Sequence, residues 1–144
     1  MFGSVDPSRR TFLAVVASGM LGIAGASRWH PTRCRHGDAG RDHPDPRPGI
    51  DGSRVLTADQ LHDVPDLVPL YDGIRGIPHI ADGLRCTCGC ASEEGMRSLL
   101  SCFEGSGMAK GCIVCQTEGR MVVRLHGAGR TLDQIRAAID ARFG

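Results

Sequence analysis

The sequence predicts a mainly α-helical fold: a small domain of three to four short helices organised around a cysteine cluster. Two observations carry that expectation. Apolar residues after residue 55 recur at helical rather than alternating spacing. Six cysteines, Cys86, Cys88, Cys90, Cys102, Cys112 and Cys115, fall within one short stretch of a chain that has seven in all. Only six of the 144 residues are aromatic, Trp, Tyr and four Phe. A core so poor in large side chains buries little apolar area, and small domains of this kind are commonly stapled by disulfides or metal.

The elements follow in order. Thr57 with Gln60 three residues on forms a capping box that opens a short helical turn. Leu67, Leu70, Tyr71 and Ile74 share a helical face, and Gly76-Ile77-Pro78 ends that run. Ile77, Ile80 and Leu84 carry apolar contact into the cysteine segment. Ser92 with Glu93 and Glu94 marks a helix start, the acids sitting on the positive end of the dipole. Its buried stripe is Met96, Leu99, Leu100 and Phe103. Gly105-Ser106-Gly107 turns the chain into a helix expected from Met108 to His126, stopping at Gly127. Thr131 and Gln134 form a second capping box for a last helix, whose Leu132, Ile135, Ile139 and Phe143 face one way.

Ahead of this domain lie two segments of different character. Ser8-Arg9-Arg10-Thr11-Phe12-Leu13-Ala14 resembles the twin-arginine export consensus. The uncharged stretch from Phe12 to Ala26 is shorter than the roughly 20 apolar residues a membrane span needs. Ala24-Gly25-Ala26 has the small-x-small pattern of a cleavage site. The reading is a signal peptide over 1–26, with Arg9 and Arg10 addressing the Tat translocase and Ala24 and Ala26 forming the cleavage site ahead of Ser27. No lipobox precedes Cys34. Residues 27–54 hold six Arg, four Asp, four Pro and three His. This composition cannot bury enough surface to offset chain entropy, so a disordered linker is expected, leaving 55–144 as the domain. His30, His36, His43 and Cys34 are weak ligand candidates on such a tether.

The formal net charge of +1 gives no clustered basic surface for nucleic acid. No catalytic triad, paired-carboxylate motif or phosphate-binding glycine loop occurs, so an enzyme is not the favoured reading. The chemistry rests on sulfur. Cys86-Thr87-Cys88-Gly89-Cys90 places thiols two apart, where disulfide geometry disfavours mutual bonding. They can instead converge on one ion if the chain bends at Gly89. Cys112 and Cys115, three apart near a helix start, lie about 60° apart around the helix and face one way. Cys102 borders the stripe of the preceding helix.

Several thiolates in one place suit zinc(II) or copper(I), ahead of an iron–sulfur cluster. If the same cysteines are disulfides, Cys86, Cys88 and Cys90 pair outward with Cys102, Cys112 and Cys115. Cys112-x-x-Cys115 also has the spacing of a redox dithiol, although no strand precedes it. Gln116 stands where covalent haem attachment needs His. His79 is a further ligand candidate, with His126 on the same helical face as Cys112 and Cys115.

From about Leu67 the chain resembles the bacterial exported proteins and lipoproteins named for a Pro-Cys-Tyr-Cys-Gly-Cys motif. The matching residues are Ile77-Pro78, Cys86-Thr87-Cys88-Gly89-Cys90, Ser98-Leu99-Leu100-Ser101-Cys102-Phe103, Cys112-x-x-Cys115, Thr131-Leu132-Asp133-Gln134-Ile135-Arg136 and Ile139-Asp140. Arg85 and Thr87 replace the motif's Pro and Tyr. The resemblance implies an exported, periplasmic or extracytoplasmic, cysteine module with a metal-binding role. Its mature domain is not expected to span a membrane.

Overall fold

The computed structural model describes residues 42–89 and 96–144. The expected signal segment, Arg9, Arg10, Ala24 and Ala26, lies outside them, as do Cys34, Cys90 and the expected helix start at Ser92. Among the described residues the architecture is helical, with helices α1 (Val68–Arg75), α2 (Pro78–Asp82), α3 (Ile113–Gly127) and α4 (Leu132–Phe143). Short 3-10 turns occupy Asp59–Leu61, Pro65–Leu67, Leu100–Phe103 and Met108–Lys110. The described residues contain no strand, only one isolated antiparallel bridge between Val55 and Glu104. None of their helices is long and apolar enough to cross a membrane. The result is a small helical domain around a cysteine cluster.

Local chemistry sets most boundaries. Pro69 and Pro78 stand in the first turns of α1 and α2, where a missing N–H has no helical partner to lose. At α4 the Thr131 hydroxyl accepts from the Gln134 N–H, and the Gln134 side chain accepts from the Thr131 N–H. That is the reciprocal box expected from sequence. At Thr57 only half forms: Gln60 Oε1 accepts from the Thr57 N–H at 2.9 Å, and the turn that follows is 3-10.

Two helices expected from periodicity take another form. The stripe Leu99, Leu100 and Phe103 is buried as anticipated, but its described residues wind as a 3-10 turn. The Leu99 N–H is diverted to the carbonyl of Leu84 at 2.8 Å, so a tertiary bond competes with the α-helical ladder. The helix expected from Met108 is split at Cys112, whose extended backbone separates a 3-10 turn from α3. Gln116 Nε2 donates to the carbonyls of Ala109 and Lys110 at 2.9 and 3.2 Å, satisfying acceptors that a continuous helix would have used.

Helix α3 packs against α1, α2 and α4. The core gathers Leu61, Tyr71, Ile74, Leu84, Leu99, Leu100, Phe103, Val122, Ile135 and Ile139. Tyr71 and Phe103 meet edge to face at 4.9 Å between ring centres. Gly119 of α3 makes this possible. A Cβ there would lie 2.7 Å from Cζ of Phe103 and 3.2 Å from Cδ1 of Leu70.

Asp82, fully buried at the end of α2, joins three parts of the chain. It accepts from the Arg47 backbone N–H at 2.8 Å and from its guanidinium at 2.9 and 3.1 Å. It also accepts from Arg97 at 3.0 Å and from the Ser98 hydroxyl at 2.9 Å. Burial alone would raise its carboxyl, but the Arg47 and Ser98 bonds outweigh burial and hold it at about 2. Residues 42–54 of the polar segment thereby lie along the domain. Arg136 also donates to the Pro44 carbonyl at 2.8 Å, and Arg97 to that of Asp45. These partners are remote in sequence, so composition does not reveal them.

Two outcomes follow from this packing. Gly119→Ala gains about 1 kcal/mol of helix propensity but drives a methyl into a ring already held by Tyr71. Overpacking of that kind costs about 1–3 kcal/mol, so a thermal melt should show a net fall in Tm. Asp82 has a depressed carboxyl, so its stabilisation is present above the unfolded value near 4 and is lost as pH falls toward about 2. Asp82→Asn should cost about 2 kcal/mol at pH 7. The gap between the urea midpoints of variant and wild type should close as pH is lowered through that window.

Candidate metal centre

The cysteine segments are brought together by the elements just described. Cys86 and Cys88 lie in the turn after α2, Cys102 lies in the 3-10 turn Leu100–Phe103, and Cys115 lies in the first turn of α3. Gly89 has φ of +86°, the left-handed backbone that lets the chain bend behind Cys88. The sulfurs of Cys86, Cys88 and Cys115 all lie within 4.8 Å of one another, and all three residues are buried. Cys86 Sγ is 3.1 Å from Cys88 Sγ and 3.5 Å from Cys115 Sγ, and Cys115 Sγ is 3.6 Å from Cys88 Sγ. A tetrahedron of zinc–sulfur bonds of about 2.3 Å has edges of about 3.8 Å. The triad is somewhat contracted relative to that figure and has the right donor chemistry.

Cys102 is fully buried, and its thiol donates to the Ser98 carbonyl at 3.9 Å; its sulfur is not one of the three that converge. Cys86, Cys102, Cys112 and Cys115 are reduced, so none of them forms the outward pairing with Cys88 that a disulfide arrangement predicts, and Cys88 is disulfide-bonded. Cys112 does not join the triad. It sits at the N-cap of α3, where its sulfur accepts from the Cys115 N–H at 3.5 Å. His79 is exposed and stands apart from the triad, its ring edge-on to that of His126 at 6.2 Å between centres. His43 accepts from the Arg85 N–H at 3.0 Å and contacts Asp140 at 3.1 Å.

The thiols share their protons unequally. Hydrogen bonds from Cys102 and Cys115 pull the Cys86 thiol well below its usual range, against the opposing effect of burial. The Cys115 thiol is pushed up by its hydrogen bonds to Cys102 and Cys86, and further by burial. For Cys102, the bond with Cys115 acts downward, but the bond with Cys86 and burial act upward and win. These contacts favour the ionised form at Cys86 and the protonated form at Cys102 and Cys115. A cation that displaces the remaining protons meets a set of soft donors.

Two polar residues beside the sulfurs escaped the reading of the sequence. Glu118 of α3 is fully buried. Its Oε1 accepts from the Thr87 N–H at 3.0 Å and from the Thr87 hydroxyl, fastening the turn between Cys86 and Cys88 to the helix. Its Oε2 is buried with no hydrogen-bond partner. Burial and the nearby Cys86 charge raise its carboxyl to about 8, against the lowering effect of the Thr87 bonds. Tyr71 is also fully buried, and its hydroxyl has no hydrogen-bond partner. Burial and the neighbouring Cys115 and Cys102 push its ionisation up. Leaving a buried polar group unsatisfied costs about 1–3 kcal/mol, and both such groups adjoin the sulfurs. The spacing of Glu118 from Cys115, three residues on one helix, was readable; that an acid would be buried there was not.

The fold and site define a class: a small helical domain built around a buried cysteine cluster able to hold a metal ion. Compared with known proteins, the chain matches no family model, no curated protein and no solved structure.

A raised carboxyl has a definite sign in stability. The native state holds the Glu118 proton more tightly than the unfolded chain, so its contribution is fullest below about 4.5 and is lost as pH rises through about 8. In reduced, metal-free protein, Glu118→Gln should remove part of the decline in unfolding free energy between pH 5 and 8. Denaturant titrations across that range check this.

Proposed function

We propose that this chain is an exported metal-binding protein whose buried thiols hold zinc(II) or copper(I) in a structural, storage or delivery role. The observation that carries the reading is the convergence of three buried sulfurs, Cys86, Cys88 and Cys115, within 4.8 Å. Cys102, fully buried in the same core, is a further candidate donor, and Cys88 is available as a thiolate once reduced. Thiolates of this number favour soft and borderline ions over magnesium or calcium. Export by the twin-arginine route is supported by the segment Ser8–Ala14 and the small-residue site at Ala24 and Ala26. That route carries folded substrates and so suits a metal loaded before translocation. Resemblance to the cysteine-motif exported proteins supports the same reading.

A second reading is a disulfide-stapled helical interaction module without metal. The Cys88 disulfide favours it. A thiol–disulfide exchange role is a third, weaker alternative.

Protein recovered from the exported compartment without added metal separates these readings. Stoichiometric metal with thiols that react only after chelation supports the first. Metal-free protein with its cysteines oxidised supports the second and sinks the first. With reduced protein, zinc at about 100 times its Kd should add about 2.7 kcal/mol to stability. Cys115→Ser should lose most of this gain, whereas Cys112→Ser, whose hydroxyl can still cap α3, should keep it.

A further inference from the structure

Glu118 carries chemistry that the sulfur cluster alone does not account for. It stands three residues after Cys115 on α3, so both side chains leave the same face of one helix. It is fully buried, in a domain with few other buried charged side chains. Its two oxygens have different surroundings. Oε1 accepts two hydrogen bonds from Thr87, the residue between Cys86 and Cys88. Oε2 is buried and accepts none, while the bonds at Oε1 hold the carboxyl against the residue that links Cys86 to Cys88.

A residue needed only to fasten Thr87 would do so as glutamine. The amide oxygen accepts the same two bonds and brings no ionisable group into the interior. The carboxylate is explained if its second oxygen has a cationic partner. From this arrangement, and resting on the metal-binding reading above, we infer that Glu118 is itself a ligand through Oε2. The site is then a mixed thiolate–carboxylate set that selects zinc(II) over copper(I).

The selectivity follows from donor softness. Zinc accepts carboxylate oxygen at about 2.0–2.2 Å as readily as thiolate at about 2.3 Å. Copper(I) is held by soft sulfur and gains little from a hard oxygen. Cys86, Cys88 and Cys115, whose sulfurs lie within 4.8 Å of one another, make four donors with Glu118 once Cys88 is reduced. Thr87 then has a positioning role: it orients the carboxylate by occupying Oε1 and leaves Oε2 for the ion.

The test uses the reduced full chain under anaerobic conditions, titrated with zinc(II) and separately with copper(I) against competing chelators. Glu118→Gln should weaken zinc binding about 10- to 100-fold and leave copper(I) affinity within about twofold. Thr87→Val removes the hydroxyl anchor but keeps the carboxylate, and should largely preserve the zinc-to-copper preference. Equal loss of both metals in Glu118→Gln, or unchanged zinc affinity, overturns the inference, because a merely structural Glu118 gives the first and an irrelevant one the second. X-ray absorption at the zinc edge of the wild-type complex needs no variant: a shell of sulfur plus one oxygen is expected, and a sulfur-only shell overturns it. If wild-type protein binds neither metal, the metal reading itself fails and this inference with it. If wild type binds zinc and Glu118→Gln binds it equally well, only the assignment of Glu118 fails.

Discussion

The bond between the Asp82 carboxylate and the Ser98 hydroxyl, 2.9 Å long and buried, is the constraint from which the site is built. Asp82 stands four residues before Cys86, and Ser98 four residues before Cys102. Closing that one contact registers the two segments that deliver those sulfurs. The Leu99 N–H to Leu84 carbonyl bond continues the registration one step inward. Arg47 and Arg97 make the arrangement tenable. A carboxylate without solvent needs paired charge and several donors, and these arginines supply both while keeping part of their own surface in water. The polar segment before residue 55 is thereby drawn onto the domain.

A second fastening works from the other side. Glu118 ties the Thr87 turn to α3, and α3 carries Cys115. The sulfurs of Cys86 and Cys115 are thus referred to one rigid helix through one side chain. The cluster is buried in the same core as Tyr71, Phe103 and Leu99, in a setting where desolvation and mutual hydrogen bonding govern the protons. Unpartnered oxygens on Glu118 and Tyr71 disfavour the metal-free state in a domain whose aromatic content is small.

The helical class, the capping box at Thr131 and the buried stripe of Leu99, Leu100 and Phe103 were legible in the sequence because each depends on residues three or four apart. The form taken by that stripe was not. Whether Leu99 donates within a helix or to Leu84 depends on a neighbour brought close by the fold. The same holds at Cys112, where Gln116 reaches back to Ala109 and Lys110 and breaks what periodicity reads as one helix.

The sequence by itself determined that the chemistry belongs to sulfur. Seven cysteines, five of them spaced two or three apart and three of these beside a bend-permitting glycine, leave few other uses in a chain of this composition. Only the tertiary structure decided which sulfurs meet: Cys86, Cys88 and Cys115 converge, Cys102 is buried but bonds the Ser98 carbonyl, and Cys112 turns to capping. It also decided that Glu118 and Tyr71 border them. The reason is physical. Spacing along a chain sets which face of an element a side chain occupies, whereas burial and convergence are set by which elements pack together, and here a buried carboxylate makes that choice.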